Sequence, residues 1–512
     1  MHFYILFSCA YEIFFVILQS KMFGTPKRKN VYTMKKGLIV IFSFVLLFVS
    51  QPARSTDIGV PSECEDVMLQ AFYWDSYTLT KYGRTQWTDL LEDTAAINAN
   101  FDLVWLPPCH NSTGGVGYIH ACLSEFDASA WGKRTELTSL ITALHKGNTK
   151  VIADIVINHR GNKSNWCDFY EDTFNGVKFQ LTQEHICADD EGFTDSESTC
   201  YGSTTHGEKD TGTNFGGARD LDHSSTYVQR WAKAYLKYML KNVKFDGFRY
   251  DMTLGYNGKY LGMYNESAQP YFSVSECWEG INTQKAHLDS AGYNTMVFDF
   301  QQKYELANAI VGGSYGKLKK NSNSFRGQGL EKYAVTFIDN HDTFERSDAQ
   351  SQEFGGYNAD LSNSTVRGRI LQANAYILLM PGVPCVFWPH WKSYQSEINA
   401  LIAVRKLAGI HSESAVLEET SGQYAYSATV QGHRGKVIVR LGSNHDRSTP
   451  NGYYRAIDGG MYTVFVENGA GLIEVPGNEE QANQGEKFIR DGKLYIRHGE
   501  KIFDAMGRIC DL

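Results

Sequence analysis

Residues 337–342 read Phe-Ile-Asp-Asn-His-Asp, an apolar start followed at once by carboxylate, amide and imidazole side chains. Three earlier segments have the same form: Ala-Asp-Ile-Val-Ile-Asn-His at 153–159, Gly-Phe-Arg-Tyr-Asp at 247–251 and Phe-Ser-Val-Ser-Glu-Cys-Trp at 272–278. Their short β-branched or aromatic runs are typical of strands that are buried on both faces. In parallel α/β barrels, such strands carry functional residues at their carboxyl ends. The four segments therefore predict an active site at one end of a parallel barrel.

Eight strand-like runs alternate with amphipathic helical segments between residues 56 and 410. They are Val67–Tyr73, Leu103–Leu106, Val151–Ile157, Gly247–Tyr250, Phe272–Ser275, Met296–Phe300, Tyr333–Ile338 and Pro384–Phe387. This alternation predicts an α/β fold, a (β/α)8 TIM barrel that forms a catalytic domain over residues 56–410.

The spacing along the barrel is irregular at one point. Asp154 and Asp251 are 97 residues apart, whereas Asp251 and Glu276 are 25 apart. Because a βαβ unit needs roughly 30 residues, we expect a loop-rich subdomain, residues 160–222, inserted after the third strand. Beyond residue 411, short β-patterned runs separated by Gly, Asn and Asp predict a C-terminal antiparallel β-domain over residues 411–512.

Composition narrows the class of ligand. The 512 residues carry a formal charge of −8. Nucleic-acid-binding proteins normally have a surplus of basic residues, so this charge argues against nucleic acid as a partner. Aromatic residues make up 13% of the chain and would suit either sugar stacking or a large core.

The first 55 residues predict a leader. Met34-Lys35-Lys36 precedes a short apolar run, Gly37–Val49, and small residues follow it, which is the pattern of a secretory signal peptide. We expect translation to start at Met34 and the mature protein to be secreted, monomeric and without a membrane span. The alternative, a two-pass membrane anchor, is disfavoured because both apolar runs of the leader are shorter than about 20 residues.

The ten cysteines of the chain fit an exported protein. Nine remain after loss of the leader, so at least one is unpaired. Cys109 with Cys122 and Cys187 with Cys200 are plausible loop disulfides, and Cys277 and Cys385 are expected to be free thiols. The spacing C-x-x-C is absent, which argues against a zinc site.

Sequons that could carry glycans are present at Asn111, Asn162, Asn265 and Asn363.

Asp251, Glu276 and Asp342 follow predicted strands four, five and seven, so a barrel would bring them to one mouth. Converging carboxylates suit glycoside hydrolysis, which needs one protonated acid and one ionised carboxylate. Arg249 lies on the same strand face as Asp251 and would favour its ionised form. His159 and His341 could bind sugar hydroxyls. Taken singly, each residue is also consistent with a turn, a helix cap or a structural histidine.

Longer sequence motifs indicate a particular family of proteins. The chain contains Asp154-Ile-Val-Ile-Asn-His-Arg160, Asp210-Thr-Gly212, Asn214-Phe-Gly216, Asp220-Leu-Asp-His223 and Gly255-Tyr256. In these motifs the sequence resembles the α-amylase family of glycoside hydrolases, and plant-type members most of all. The resemblance extends from Gln70 through the C-terminal β-domain.

The resemblance implies a role for each matching residue. Asp251 is expected to be the nucleophile, Glu276 the general acid/base and Asp342 the stabiliser of the distorted sugar. Tyr118 is expected to stack on that sugar, with Tyr73 and Trp278 as further aromatic walls. The remaining substrate-binding and charge-setting positions are His159, Arg249 and His341.

The resemblance also implies a structural calcium ion between the barrel and the inserted subdomain. Oxygen atoms are the ligands that Ca²⁺ prefers. The matching positions are the side chains of Asn158, Asp210 and Asp220 and the backbone carbonyls of Thr213 and Gly255.

The activity implied is endo-acting hydrolysis of internal α-1,4-glucosidic bonds in starch or glycogen, with retention of configuration (EC 3.2.1.1), and maltooligosaccharides as further ligands. One departure from the family pattern is Leu254, where many members carry a cation that binds glucan hydroxyls. The alternatives are a related α-glucosidase or glucanotransferase, or an inactive glucan-binding protein. The last is disfavoured because all three carboxylates are present.

Overall fold

The computed structural model describes residues 58–319, 323–345, 354, 360–471, 486–490, 493–498, 501–504 and 509–510. The predicted leader, residues 1–55, and the predicted start at Met34 lie outside these residues.

Eight parallel strands close into a barrel in chain order. They are β1 (Met68–Gln70), β2 (Leu103–Leu106), β3 (Lys150–Ile155), β4 (Gly247–Tyr250), β5 (Phe272–Ser275), β6 (Met296–Phe298), β7 (Ala334–Thr336) and β8 (Val383–Phe387). β1 pairs in parallel with both β2 and β8, which closes the ring. The predicted (β/α)8 barrel is confirmed.

A helix follows each strand. These helices are α1 (Trp87–Asn100), α2 (Arg134–Lys146), α3 (Thr226–Tyr238), α4 (Gly258–Ala268), α5 (Ile281–Ser290), α6 (Phe300–Ile310), α7 (Ser364–Leu379) and α8 (Gln395–Ala408). Their apolar stripes are buried; in α2 the buried residues are Leu137, Leu140, Ile141 and Leu144. α8 ends at Gly409, whose left-handed backbone (φ +68°) stops the helix.

The long segment between β3 and β4 forms a subdomain with few regular elements. His159–Arg160 pairs antiparallel with Arg219–Asp220, and Asp172–Phe174 forms a hairpin with Val177–Phe179. The first pair joins the two ends of the insertion at the barrel mouth.

A disulfide between Cys167 and Cys200 lies within this subdomain. The predicted pairs Cys109/Cys122 and Cys187/Cys200 are therefore wrong, because Cys109, Cys122 and Cys187 carry no disulfide. The prediction relied on closeness in sequence, whereas Cys200 pairs with Cys167, 33 residues away, and Cys187 is a buried free thiol. Cys277 and Cys385 are free, as predicted.

One of the four sequons is closed to modification. The Asn265 side chain is 0% exposed and is bonded to the Tyr250 hydroxyl, the Ser273 hydroxyl and the Asn294 carbonyl. A glycan on Asn265 would need this interior network to be broken.

The C-terminal region is antiparallel, as predicted. Its five-stranded sheet contains Ala415–Ser421, Tyr426–Gly432, Gly435–Leu441, Tyr453–Asp458 and Tyr462–Glu467. The first three strands are neighbours in chain order, Tyr462–Glu467 pairs with the third, and Tyr453–Asp458 lies at the edge beside Tyr462–Glu467. A second sheet contains Glu486–Arg490, Lys493–His498, Lys501–Asp504 and Ile509–Cys510. Among the helices that can be described in this chain, none has the length and apolarity that a membrane crossing requires.

Candidate active site

Strand register decides which side chains meet at the barrel mouth. β4 pairs with β3 so that Arg249 lies opposite Asp154, and it pairs with β5 so that Tyr250 lies opposite Ser275. The backbone N–H of Asp251 donates to Ile155 (2.9 Å), and that of Glu276 donates to Tyr250 (2.9 Å), so each extends the ladder by one step. Asp251 and Glu276 are therefore neighbours just beyond the two strand ends.

The Arg249 guanidinium joins three carboxylates. Its Nη1 lies 2.7 Å from Asp251 Oδ1 and 3.0 Å from Asp154 Oδ1, and its Nη2 lies 3.0 Å from Glu276 Oε1. Arg249 is 1% exposed and its cation lies over the Trp105 ring, 4.9 Å from the ring centroid. One buried positive charge is thus shared by three acids.

The carboxyl groups differ in their affinity for a proton. Burial raises the pKa of Asp251 to about 6; the charge of Arg249 opposes this increase and that of Asp154 adds to it. Burial raises the pKa of Glu276 to about 8. The charge of Arg249 opposes this increase, and the charges of Asp251 and Asp342 add to it. Arg249 acts in the predicted direction on Asp251, but burial outweighs it. Near neutral pH these shifts favour the ionised form of Asp251 and the protonated form of Glu276.

A residue with a left-handed backbone conformation holds the Glu276 carboxyl in place. Met252, directly after Asp251, has φ +46°, and its N–H donates to Glu276 Oε2 (2.9 Å). Non-glycine residues rarely adopt this conformation. Met252 therefore gives the Glu276 carboxyl a second fixed contact besides Arg249.

Asp342 reaches the same mouth from the loop after β7. The Asn340 side chain accepts hydrogen bonds from the backbone N–H groups of Asp342 (2.9 Å) and Thr343 (2.8 Å) at the start of the short helix His341–Glu345. Asp342 Oδ2 lies 3.3 Å from His341 Nε2. Asp251, Glu276 and Asp342 are each 9% exposed, so the three predicted carboxylates are held in the protein yet open to the mouth.

A chain of hydrogen bonds links the histidine of this loop to the arginine cluster. Gln70 Nε2 donates to His341 Nδ1 (2.9 Å), His341 Nε2 donates to the Tyr118 hydroxyl (2.7 Å), and Tyr118 donates to Asp154 Oδ2 (3.0 Å). Trp105 Nε1 donates to the same Asp154 oxygen (3.0 Å). Asp154 therefore positions both Arg249 and Tyr118, a role that sequence reasoning missed because it treated Asp154 as part of a strand.

Aromatic rings form one side of the mouth. The rings of Trp74, Tyr118 and His341 are parallel within 5°, with centroids 5.3–6.1 Å apart. Trp74 was not predicted, although an aromatic residue directly after the β1 run was a signal for it. Tyr73 is instead 1% exposed, with its hydroxyl donating to the Leu79 carbonyl (3.1 Å), so the structure presents Trp74 at this point.

Trp278, on the loop after β5, is partly exposed. Its ring stacks on Phe300 (4.7 Å between centroids), and its Nε1 donates to the Tyr304 hydroxyl (2.6 Å). The ring is held in one orientation close to Glu276 in the chain.

His159 links the Tyr118 loop to the inserted subdomain. Its Nε2 donates to the Tyr118 carbonyl (3.0 Å) and its Nδ1 accepts from Asn158 Nδ2 (3.3 Å). Burial lowers the pKa of His159 to about 4, so the ring is neutral. Both nitrogens have protein partners, and contact of His159 with a sugar stays a prediction.

The five predicted metal ligands converge where the inserted subdomain meets the barrel. Asn158 Nδ2 donates to Asp220 Oδ1 (3.1 Å), which leaves Asn158 Oδ1 available as an acceptor. A Cβ on Gly255 would overlap that oxygen, so the glycine permits the close approach. The N–H of Thr213 donates to the Leu254 carbonyl (2.8 Å).

The charges of this cluster fit a cation. Burial, with the charges of Asp210, Asp190 and Glu191, raises the pKa of Asp220 to about 8. Burial also raises the pKa of Asp210, and its Oδ2 is buried without a hydrogen-bond partner. Buried carboxylate, amide and carbonyl oxygens that repel one another are a suitable set for Ca²⁺.

Leu254 packs on an apolar cluster that includes Cys277 and Leu288. The position at which the family resemblance implies a cation therefore carries an apolar side chain that packs on this cluster.

A family model described as "Alpha amylase, catalytic domain" matches residues 98–268. The chain is 29% identical over 435 residues to "Probable alpha-amylase 2" of Arabidopsis thaliana, which covers 80% of this chain and 96% of that one. It is 30% identical over 423 residues to "Alpha-amylase 3, chloroplastic" of the same plant, covering 78% of this chain and 44% of that protein. A solved cyclomaltodextrin glucanotransferase with three domains has a similar fold, with a TM-score of 0.57, 15% identity and coverage of 79% and 96% of the two chains.

Proposed function

Because the chain belongs to the α-amylase family of glycoside hydrolases, which acts on glucans, we propose that it is an endo-acting α-amylase. In this proposal it hydrolyses internal α-1,4-glucosidic bonds of starch and glycogen with retention of configuration. The observation that carries the proposal is the pairing of Asp251 and Glu276 on neighbouring nitrogens of Arg249, with different proton affinities. A retaining mechanism needs one ionised and one protonated carboxyl group close together.

In the first step, Asp251 Oδ attacks the anomeric carbon while Glu276 gives its proton to the glycosidic oxygen. The bond from that oxygen to the anomeric carbon breaks, the shortened glucan leaves as an alcohol, and an ester joins the sugar to Asp251. Asp342 and the parallel rings of Trp74 and Tyr118 hold the sugar during this step.

Formation of the ester prepares the second step. The negative charge of Asp251 is one cause of the raised pKa of Glu276. Once Asp251 is esterified this charge is lost, whereas Arg249 remains and favours the Glu276 carboxylate. Glu276 then takes a proton from water, whose oxygen attacks the anomeric carbon and releases Asp251.

We propose that Asn158, Asp210, Asp220 and the carbonyls of Thr213 and Gly255 hold a calcium ion. The ion would supply positive charge that fixes the inserted subdomain to the barrel. Since Asn158 contacts His159, and His159 contacts the Tyr118 carbonyl, the same residues also hold one wall of the mouth in place.

The site is proposed to act outside the cell, in a secreted monomer. Support comes from the signal-like pattern at Met34–Val49 and from the disulfide Cys167–Cys200.

Endo-action is tested with starch. We expect the mature protein to lower the viscosity of soluble starch and to release dye from insoluble dyed starch before reducing ends accumulate. Glu276→Gln should lower kcat roughly 10²–10⁴-fold, because it removes the general acid. Glu279→Gln, an exposed neighbour, is the matched control and should keep full activity.

Consumption of maltotriose without dye release would contradict endo-action. Cyclic or lengthened glucans as main products would identify a glucanotransferase instead.

The pH dependence of kcat/KM should be bell-shaped. Activity should fall as pH drops through about 6, because Asp251 becomes protonated, and should fall as pH rises through about 8, because Glu276 loses its proton. Initial rates at low substrate concentration from about pH 4 to about pH 10 give both limbs. A profile without an alkaline limb would argue against Glu276 as the acid.

Calcium removal should destabilise the protein. A bound ion adds about 2.7 kcal/mol to the free energy of unfolding when its free concentration is about 100 times Kd, so a chelator should lower the Tm. Asp220→Asn should have a low Tm that no longer responds to the chelator. Asp195→Asn, on an exposed turn of the same subdomain, serves as the control and should respond like the wild type. An unchanged Tm of the wild type after chelation would refute the calcium site.

A further inference from the structure

A second group of metal-ligating side chains lies away from the barrel mouth. Glu63 precedes β1, His411 follows α8, and His433 lies in the turn between the strands Tyr426–Gly432 and Gly435–Leu441. One ligand atom from each lies within 4.8 Å of the others. Three segments of the chain, the first of them about 350 residues from the others, thus bring two imidazoles and a carboxylate together.

His433 is already oriented as a metal-bound histidine would be. Its Nδ1 lies 2.9 Å from Glu65 Oε1, and Glu65 is itself held by Arg434 Nη2 (2.6 Å). Because the carboxylate of Glu65 can only accept, Nδ1 is the donor in this contact, and Nε2 is the ring nitrogen on the side of Glu63. A carboxylate that accepts from the distal nitrogen is the usual support for a histidine ligand.

The distance from His433 Nε2 to Glu63 Oε2 is 3.6 Å. This is too long for a good hydrogen bond. It is close to the separation of about 3.3–3.4 Å between two ligand atoms of a tetrahedral ion with bonds of about 2.0–2.1 Å. The pair is therefore spaced to share an ion.

His411 packs directly on His433. The two rings are stacked with centroids 4.1 Å apart, and His411 is buried. The His433 side chain is 40% exposed, so an ion can reach the ligand atoms of this cluster from the solvent.

The backbone at Glu63 is unusual. Its φ is +46°, a region that few non-glycine residues occupy. The conformation is held by Glu413, whose Oε2 accepts the Glu63 N–H at 2.7 Å. Strained residues of this kind cluster at ligand-binding sites.

We propose that Glu63, His411 and His433 bind one Zn²⁺ ion that cross-links the segment before β1, the end of the barrel and the C-terminal β-domain. Two imidazoles and a carboxylate suit zinc, whereas the oxygen set at Asp210 and Asp220 suits calcium. The sequence argument against zinc used cysteine spacing, and this site contains no cysteine. The proposal does not depend on the proposed function.

The test is zinc binding by the full-length mature protein, stripped of metals and recharged with excess calcium. Calorimetric titration with Zn²⁺ should give one site in the wild type. His433→Ala should abolish it, and Glu65→Gln should weaken it about 10–100-fold, the effect of losing a support for a ligand. His145→Ala is the matched control, because His145 is 36% exposed and also pairs with a carboxylate, Asp246, at 2.8 Å.

Zinc should also raise the Tm of the wild type and of His145→Ala but not that of His433→Ala. A far-UV circular dichroism spectrum like that of the wild type, together with a cooperative thermal transition, shows that each variant is folded. Equal zinc affinity in the wild type and His433→Ala, or no saturable binding by the wild type, would overturn the proposal.

Discussion

The rest of the site depends on the ion pairs between the Arg249 guanidinium and three carboxylates. The guanidinium is fully enclosed and holds Asp154, Asp251 and Glu276 at 2.7–3.0 Å. Loss of one partner from a buried ion pair typically costs about 3–5 kcal/mol, because the remaining charge has no compensation. Here one cation faces three buried acids, and burial raises the pKa of all three. The increase is largest for Glu276, whose pKa rises to about 8, so this group binds a proton more tightly than Asp154 or Asp251.

The remaining contacts spread this arrangement across the barrel mouth. Asp154, fixed by Arg249, accepts from Tyr118, and Tyr118 accepts from His341 beside Asp342. On the other side, His159 connects the Tyr118 loop to Asn158 and the proposed calcium ligands. The three carboxylates, the proposed sugar-binding rings and the proposed calcium ligands are thus linked by hydrogen bonds, so we expect a change at one of them to affect the others.

Much of this could be predicted from the sequence, because the barrel strands are apolar runs with polar residues at their ends. The strands at Gly247–Tyr250 and Phe272–Ser275 were predicted with their observed bounds, whereas β7 is shorter than predicted since only Ala334–Thr336 pairs with its neighbours. The disulfide Cys167–Cys200 could not be predicted, because pairing depends on how the insertion folds.

Two further features also lay beyond sequence reasoning. Alternation along a strand does not tell which of Tyr73 and Trp74 is exposed once the chain leaves β1, and the structure buries the former. The cluster of Glu63, His411 and His433 has no recognisable spacing, because its members meet only through tertiary packing. The proton affinity of Glu276 likewise depends on burial, which sequence does not give.

The most direct test of the proposed roles of Asp251 as nucleophile and Glu276 as acid/base is to trap the ester between the sugar and Asp251. Glu276→Gln should react with α-maltosyl fluoride, whose leaving group needs no acid, but should not release the sugar, since water has no base. Mass spectrometry of the digested protein should then find a maltosyl group on Asp251. A maltosyl group on another residue, or no covalent adduct while fluoride is released, would contradict the account.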